Sequence, residues 1–310
     1  MTVNVLFAAQ AERWPHYKAP LEDAIKNAGI DAVISTDIAP DQVDYIVYAP
    51  NSDVQDFAPF TRAKAVLNLW AGVEGIVGNK TLTLPLARMV DPGLTQGMIE
   101  WVCGHVMRHH LGMDAHIKGV PGVWAPSAPP LSWDRNVVVF GLGELGTACA
   151  QALAQFGFQV SGWSRSAKSI KGVNCLHGAD GLKDALALAE IAVLLLPDTA
   201  ATTNTLNAET LALMPKGAVI INPGRGPLID DNALLAALDS GHISHATLDT
   251  FRVEPLPKDD PYWAHPNVTV TPHVAAETRA KYSALTVAEN IRRGEAGEPF
   301  LHLVDRSLGY

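Results

Sequence analysis

The chain has 310 residues, 48% of them hydrophobic and 18% charged, which is enough apolar material for the packed cores of two domains. Its formal net charge of -9 argues against broad nucleic-acid binding, because such binding requires a positive field facing the phosphates. Three scattered cysteines, no basic leader and no long apolar run indicate a cytoplasmic protein with neither a disulfide framework nor a membrane span.

The first part of the sequence alternates short apolar runs with helical patterns. Strands are predicted at Val3–Ala8, Tyr45–Ala49 and Lys64–Leu69, with a helix from about Pro20 to Ala28 between the first two. A further helix is predicted over Gln96–His110, where apolar residues recur close to helical spacing. This alternation is typical of βαβ units around a parallel sheet.

A proline-rich segment, Gly119–Pro130, follows this helix. Three of its prolines fall within five residues, so it cannot continue a helix or a central strand. We interpret it as a loop or an arm, either a domain boundary or a segment that embraces a partner.

The second part of the sequence repeats the alternation. A long helix is predicted around Ala275–Arg293 and an earlier one at Glu144–Phe156. The predicted strands are Val137–Phe140, Gln159–Trp163, Ile191–Leu196, Ala218–Asn222, His245–Asp249 and Val268–Val270. The predicted fold class is α/β throughout.

A glycine-rich turn lies between the strand at Val137–Phe140 and the following helix. It reads Gly141-Leu142-Gly143-Glu144-Leu145-Gly146, a G-x-G-x-x-G run. The first glycine permits a tight turn, the second lets the backbone approach a pyrophosphate, and the third allows close helix–strand packing. A glycine-rich turn alone is a weak signal, but the complete strand–turn–helix–strand context favours dinucleotide binding.

The end of the next strand indicates which dinucleotide. An NAD site usually carries Asp or Glu there to bind the ribose 2′-hydroxyl, whereas this chain has Ser164 at that position. Arg165, Ser166 and Lys168 follow, and a guanidinium suits phosphate because it donates two parallel hydrogen bonds. A solvated basic turn is the alternative, but the missing carboxylate favours NADPH over NADH.

Three downstream segments each follow a predicted strand: Asn222–Gly226, Leu248–Pro255 and Thr271–His273. The carboxyl ends of parallel strands border one crevice, so these segments can converge there. Arg225 can clamp the carboxylate of a 2-keto acid, and His273 can protonate its carbonyl oxygen. Glu254 can orient the imidazole and favour its charged form. Each residue alone has an ordinary structural explanation, but the three in this order favour catalysis.

These motifs together resemble the D-isomer-specific 2-hydroxyacid dehydrogenase family, and most closely its glyoxylate/hydroxypyruvate reductase branch. The similarity extends to Leu69–Glu74, which resembles the substrate-side loop of the family, so nearly the whole chain is covered. The resemblance implies a Rossmann nucleotide-binding domain (97–276) inserted into a flavodoxin-like substrate domain (1–96 plus 277–310), both doubly wound.

The resemblance also implies roles for individual residues. Arg225, Glu254 and His273 would be catalytic, and hydride would come from the nicotinamide. Cofactor contacts would include the motif residues already named together with Leu196, Pro197, Pro223, Gly224 and Asp249. Substrate contacts would come from Tyr48, Trp70, Ala71, Gly72 and Arg88. The segment after Leu111 resembles the one through which such proteins form homodimers.

The sequence is also compatible with other functions. The chain could be a dehydrogenase of a larger D-2-hydroxy acid, or a non-catalytic protein that senses a dinucleotide. His105 and His109 are four residues apart on a predicted helix, but no third ligand lies nearby in sequence, so no metal site is predicted. The expected function is NADPH-dependent reduction of glyoxylate or hydroxypyruvate to the D-2-hydroxy acid.

Overall fold

The computed structural model describes residues 2–117, 119 and 122–309. The strands are β1 Val3–Ala8, β2 Ala32–Ser35, β3 Tyr45–Tyr48, β4 Ala65–Asn68, β5 Leu86–Ala87, β6 Asn136–Phe140, β7 Gln159–Ser164, β8 Asn174–His177, β9 Ile191–Leu194, β10 Ala218–Asn222, β11 Ile243–Leu248 and β12 Val268–Val270. The α-helices are α1 Trp14–Asn27, α2 Glu74–Val77, α3 Pro92–His110, α4 Met113–Ile117, α5 Glu144–Gln155, α6 Gly178–Leu188, α7 Ala208–Leu211, α8 Asp231–Asp239, α9 Pro261–Ala264 and α10 Ala280–Ala296.

The chain forms two compact units. The first unit comprises residues 1–94 and 277–310, and the second comprises residues 95–276. Each unit contains one parallel sheet, so the predicted α/β class with two parallel sheets is confirmed.

The sheet of the first unit has five strands in the order β2-β1-β3-β4-β5, which is the flavodoxin-like order. Apolar side chains fill both faces of its central strands. On one face α1 and α10 pack together and bury residues such as Leu21 and Ile291. This arrangement is expected for a parallel sheet, which needs cover on both sides.

The sheet of the second unit has seven strands in the order β8-β7-β6-β9-β10-β11-β12. The chain winds in one direction from β6 to β8 and then returns to place β9 on the other side of β6. The carboxyl ends of β6 and β9 therefore flank a topological switch point, where open α/β sheets bind their ligands.

Two helix boundaries differ from the sequence predictions. The first helix begins at Trp14 rather than Pro20, because Pro15 occupies its first turn and buried Tyr17 and Leu21 hold the helix together through Pro20. The last helix begins at Ala280 rather than Ala275, since the Ala275 N–H donates to the Asp249 carboxylate instead of joining a helix.

Three short strands were not predicted, β2, β5 and β8. All three lie at a sheet edge, and none is longer than four residues, which is too short for a clear hydrophobic pattern. The proline-rich segment lies inside the second unit, so its interpretation as a domain boundary is wrong. Its described residues form no helix or strand, and Val120 and Pro121 lie outside the described residues. In the described ranges, none of the helices has the length and apolar character needed to cross a membrane.

Candidate active site

The glycine turn joins β6 to α5 at the carboxyl edge of the second sheet. Gly141 has a φ of 103°, and a Cβ there would collide with the Leu195 carbonyl after β9. A Cβ at Gly146 would collide with the Gly141 carbonyl oxygen. The packing of the turn itself therefore requires glycine at both positions.

Gly143 differs from the other two glycines of the turn, because a Cβ there would meet no atom within 4 Å. Gly143 is the N-cap residue of α5 and makes no side-chain cap, so the first N–H groups of that helix, which include those of Glu144 and Leu145, are available for a ligand. Open space above an uncapped helix N-terminus suits an anion. The turn therefore fits the pyrophosphate of a dinucleotide.

The basic turn after β7 lies against the glycine turn. The Lys168 ammonium donates to the Leu142 carbonyl at 2.6 Å, which brings the turn back over the glycines. Ser164 is buried and donates to the Ser166 carbonyl at 2.8 Å, while Arg165, Ser166 and Lys168 are exposed. The turn contains two cations and no carboxylate, a composition that fits a ribose 2′-phosphate.

The loop after β9 borders the same turn. Leu196 is buried, and the Thr202 hydroxyl donates to the Pro197 carbonyl at 2.6 Å, which fixes the loop. The predicted adenine-side residues therefore adjoin the glycine turn, since Gly141 packs directly on the Leu195 carbonyl.

Arg225 lies on a loop that Asn222 shapes. The buried Asn222 amide donates to the Arg225 carbonyl at 2.9 Å, and its oxygen accepts from the Gly224 N–H at 3.1 Å. Pro223 is buried beside them, and the Arg225 guanidinium donates to the Gly224 carbonyl at 2.7 Å. Asn222 was missed as a positioning residue, although its place at a strand end before Pro-Gly was a usable signal.

Glu254 and His273 form a hydrogen-bonded pair. The distance from His273 Nδ1 to Glu254 Oε2 is 2.8 Å, and the Phe251 N–H donates to Glu254 Oε1 at 2.9 Å. His273 has a φ of 53°, and its side chain is half exposed. The Arg225 loop packs on this segment, because a Cβ at Gly226 would collide with the Phe251 carbonyl carbon. The structure thus brings together the three predicted catalytic residues.

The electrostatics of the pair favour a charged imidazole. The hydrogen bond that His273 donates to Glu254 raises the pKa of His273 above its ordinary value, although burial and the nearby Arg225 charge both lower it. Burial raises the pKa of Glu254, but the hydrogen bonds from His273 and the Phe251 N–H outweigh this effect and leave it below its ordinary value. The pair therefore favours the charged form of His273, which is the form that can act as an acid.

Asp249 holds the strand end that carries His273. Its fully buried carboxylate accepts from the Thr271 hydroxyl at 2.6 Å and from the Val274 and Ala275 N–H groups at 2.9 Å. Its carbonyl also accepts from the His273 N–H at 2.9 Å. Asp249 was predicted as a cofactor contact, but the sequence did not indicate this second task.

The predicted substrate residues of the first unit differ in exposure. Trp70, Ala71, Gly72 and Arg88 are at least partly exposed, and the Asn68 amide donates to the Trp70 and Gly72 carbonyls at 2.9 and 3.0 Å. Tyr48 is only 1% exposed and packs edge-to-face on Phe57, so its placement does not favour substrate contact. Asn68 was missed, because an Asn at a strand end gives no distinct signal.

A glycine turn that fits a pyrophosphate, with an arginine and a glutamate–histidine pair on neighbouring strand ends, is the arrangement expected of a dinucleotide-dependent oxidoreductase. Residues 105–275 match the family model described as D-isomer specific 2-hydroxyacid dehydrogenase, NAD binding domain. The chain belongs to the D-isomer specific 2-hydroxyacid dehydrogenase family. It is therefore an NAD(P)-dependent enzyme of the 2-hydroxyacid dehydrogenase class.

Full-length relatives extend this similarity. Glyoxylate/hydroxypyruvate reductase A of Serratia proteamaculans is 36% identical, with 99% of this chain and 100% of that protein covered. A D-isomer specific 2-hydroxyacid dehydrogenase from Xanthobacter autotrophicus Py2, solved with NADPH and MES, is 40% identical over 100% of both chains, with a TM-score of 0.92. The NADPH-dependent glyoxylate/hydroxypyruvate reductase of Sinorhizobium meliloti, solved with NADP and sulfate, is 34% identical over 100% of both chains, with a TM-score of 0.84.

Proposed function

We propose that this protein is an NADPH-dependent reductase that converts glyoxylate or hydroxypyruvate to the D-2-hydroxy acid. The observation that carries the proposal is the Glu254–His273 pair, held beside Arg225 at the carboxyl edge of a dinucleotide-binding sheet. The relatives named above, which cover the whole chain, support the choice of substrate and cofactor.

Reduction of a keto acid requires one hydride, one proton and a means of holding the carboxylate. NADPH, when bound, supplies the hydride. The Arg225 guanidinium binds the substrate carboxylate through two parallel hydrogen bonds. His273 Nε2 donates the proton to the carbonyl oxygen, while Nδ1 keeps its hydrogen bond to Glu254. Glu254 thereby fixes the tautomer and orientation of the imidazole and stabilises its charged form.

The preference for NADPH rests on the basic turn. Arg165, Lys168 and the Ser164 and Ser166 hydroxyls hold the 2′-phosphate, while the N–H groups at the start of α5 hold the pyrophosphate. Leu196 and Pro197 line the adenine side, and Pro223, Gly224 and Asp249 border the nicotinamide. These assignments follow the family resemblance, and the exposure of Arg165, Ser166 and Lys168 supports them for the phosphate contacts.

The first unit supplies the substrate loop. The Asn68 amide donates to the carbonyls of Trp70 and Gly72, and among the described residues the Ala71 and Gly72 N–H groups donate to no backbone carbonyl. Such N–H groups can bind a substrate carboxylate. We assign Trp70, Ala71, Gly72 and Arg88 to substrate binding and retain Tyr48 only as a buried support of this region.

We also propose that the protein is a homodimer. Large apolar side chains are exposed on and around the proline-rich segment: Ile117 (73%), Val123 (64%), Trp124 (94%), Leu131 (54%) and Trp133 (60%). Exposed apolar side chains at this density indicate a protein interface. Sedimentation should give a dimer, and Trp124→Ser together with Trp133→Ser should shift it toward the monomer.

Two other functions compete with this proposal: oxidation of a larger D-2-hydroxy acid, and dinucleotide sensing without catalysis. The deciding experiment follows NADPH and NADH oxidation by absorbance with glyoxylate, hydroxypyruvate, pyruvate and phenylpyruvate, and repeats it with Arg225→Ala and His273→Ala. The proposal expects rapid NADPH-dependent turnover of the two short keto acids and a loss of about 100-fold or more in either variant. Preference for phenylpyruvate supports the larger-substrate enzyme, and tight NADPH binding without turnover supports a sensor.

A further inference from the structure

A group of polar side chains lies on α3 and on β11 and β12, the two strands that precede Glu254 and His273, and the proposed mechanism assigns it no role. We call it the threonine–histidine layer, and it consists of His109, His245, Thr247 and Thr269. His109 Nε2 lies 2.8 Å from the Thr247 hydroxyl, and His245 Nε2 lies 2.9 Å from the Thr269 hydroxyl. The two imidazole rings are 4.7 Å apart.

The layer spans three elements of the second unit. His109 lies in the last turn of α3, His245 and Thr247 on β11, and Thr269 on β12, where it is in register with Thr247. The strand β12 has three residues and is the edge of the sheet, so β11 is its only strand neighbour among the described residues. The edge strand therefore depends on side-chain contacts more than a central strand does.

The next layer toward the active site contains Asp249 and Thr271. These residues follow Thr247 and Thr269 by two positions and so face the same side of the sheet. Asp249 accepts from Thr271, Val274 and Ala275, and His273 comes two residues after Thr271. The threonine–histidine layer and the Asp249–Thr271 contact therefore lie two residues apart on the same pair of strands, and the Asp249 carboxylate binds the backbone next to His273.

We propose that His109 and His245 are positioning residues for proton transfer, which act through Thr247 and Thr269 to fix the strand ends that carry Asp249 and His273. This inference rests on the proposed function, because it assigns His273 the acid. His109 can act in this way because it remains neutral: burial and the adjacent His245 and Arg108 lower its pKa to about 3. A neutral imidazole can share one hydrogen bond with a hydroxyl without placing an unpaired charge in the interior.

The chain offers a matched control in His110. This residue lies on the same helix and is 5% exposed, but its ring packs on Phe158, with 4.9 Å between the ring centroids, whereas the hydrogen bond to Thr247 comes from His109. His109→Phe removes the hydrogen bond to Thr247 and keeps an aromatic ring. His110→Phe makes the same substitution at a residue outside the layer. Thr247→Val removes the hydroxyl and preserves the shape of the side chain.

The test combines kinetics with hydrogen exchange in the full-length protein. We expect His109→Phe and Thr247→Val each to lower kcat for glyoxylate reduction about 10-fold, because small displacements of a reacting group are costly, with little change in KM for NADPH. The double variant His109→Phe/Thr247→Val should have a kcat no lower than that of either single variant. His109→Gln should have a higher kcat than His109→Phe, and the kcat of His110→Phe should stay within about 2-fold of wild type. Amide exchange of residues 268–276 should rise in the two layer variants only.

The outcomes separate this inference from the proposed function. Equal kcat values in His109→Phe and His110→Phe, with additive effects in the double variant, overturn the positioning role. If the wild-type protein reduces no keto acid, the proposed function is overturned, and hydrogen exchange alone then tests the inference. In that case, unchanged amide exchange of residues 268–276 in the layer variants refutes the inference. If His109→Phe does not fold, Thr247→Val still provides both measurements.

Discussion

The two units share one architecture, a parallel sheet covered by helices, but their strand ends differ in what they offer a ligand. In the second unit, loops after β10, β11 and β12 carry Arg225, Glu254 and His273. Gly226 packs the first loop on the Phe251 backbone of the second, and Glu254 binds His273. In the first unit the loop after β4 offers mainly backbone, with Asn68 bound to two of its carbonyls. The residues proposed for catalysis and for substrate recognition therefore lie in loops, which the ends of the strands position.

Tyr48 and His273, two aromatic residues at strand ends, also differ between the units in backbone conformation and exposure. Tyr48 ends β3 in a regular strand conformation and is buried on Phe57. His273 follows β12 with a φ of 53°, and its ring is half exposed. A non-glycine residue in the left-handed region costs free energy, on the order of 1 kcal/mol, which the Asp249 contacts to the neighbouring N–H groups can offset.

The largest expected effect comes from Glu254→Gln, which tests whether the second unit carries the acid. The amide removes the charge that stabilises the imidazolium, so kcat/KM for reduction should fall about 100-fold. Because Glu254 raises the pKa of His273, wild-type activity should persist above the ordinary histidine pKa of about 6.5 and be lost as pH rises through the raised value. In the variant this alkaline limb should move to lower pH. An unmoved limb in the pH profile of kcat/KM would mean that His273 is not the titrating acid.

Arg165→Ala tests the cofactor side of the same unit. Loss of a charge-assisted hydrogen bond to the 2′-phosphate, at about 1.5–3 kcal/mol, should weaken NADPH binding about 10- to 100-fold. NADH binding, followed by fluorescence titration, should stay nearly constant. Lys171→Ala is the control, an exposed cation further along the same loop that should leave both affinities unchanged. Equal weakening of NADPH and NADH would contradict the phosphate assignment.

The sequence predicted the second unit better than the first for a physical reason. Backbone collisions require glycine at 141 and 146, and the proposed chemistry requires a charged residue after each of three strands. Both features can therefore be recognised in the sequence alone. Part of the substrate site proposed for the first unit consists of backbone N–H groups, which every residue possesses, and the supporting residue Asn68 gives no distinct signal in the sequence. The threonine–histidine layer was also missed, because it depends on which strands are neighbours, and that follows only from the strand order. Likewise, the burial of Tyr48 depends on how Phe57 folds back on β3.

Two glycines of the glycine turn separate effects on stability from effects on cofactor binding. Gly146→Ala should destabilise the protein by about 3 kcal/mol or more, because its Cβ collides with a backbone carbonyl that cannot move freely. Gly143→Ala should cost less than about 1 kcal/mol, since its Cβ meets open space, but it should weaken NADPH and NADH binding about 10-fold alike. Thermal melts and fluorescence titrations measure the two effects. Normal cofactor affinity in Gly143→Ala would show that the pyrophosphate does not lie over this residue.

The smallest expected effect concerns the first unit and tests recognition through its loop. Asn68→Ala removes the amide that binds the Trp70 and Gly72 carbonyls, so the loop should lose its shape while the catalytic residues stay intact. KM for the keto acid should rise about 3- to 5-fold, kcat should change little, and unfolding should become easier by about 1–3 kcal/mol. Asn290→Ala is the matched control, because Asn290 is equally buried in the same unit but binds the Leu301 backbone instead. If both variants lose stability and only Asn68→Ala raises KM, the loop is the recognition element; if KM rises equally in both, the effect is a general softening of the unit.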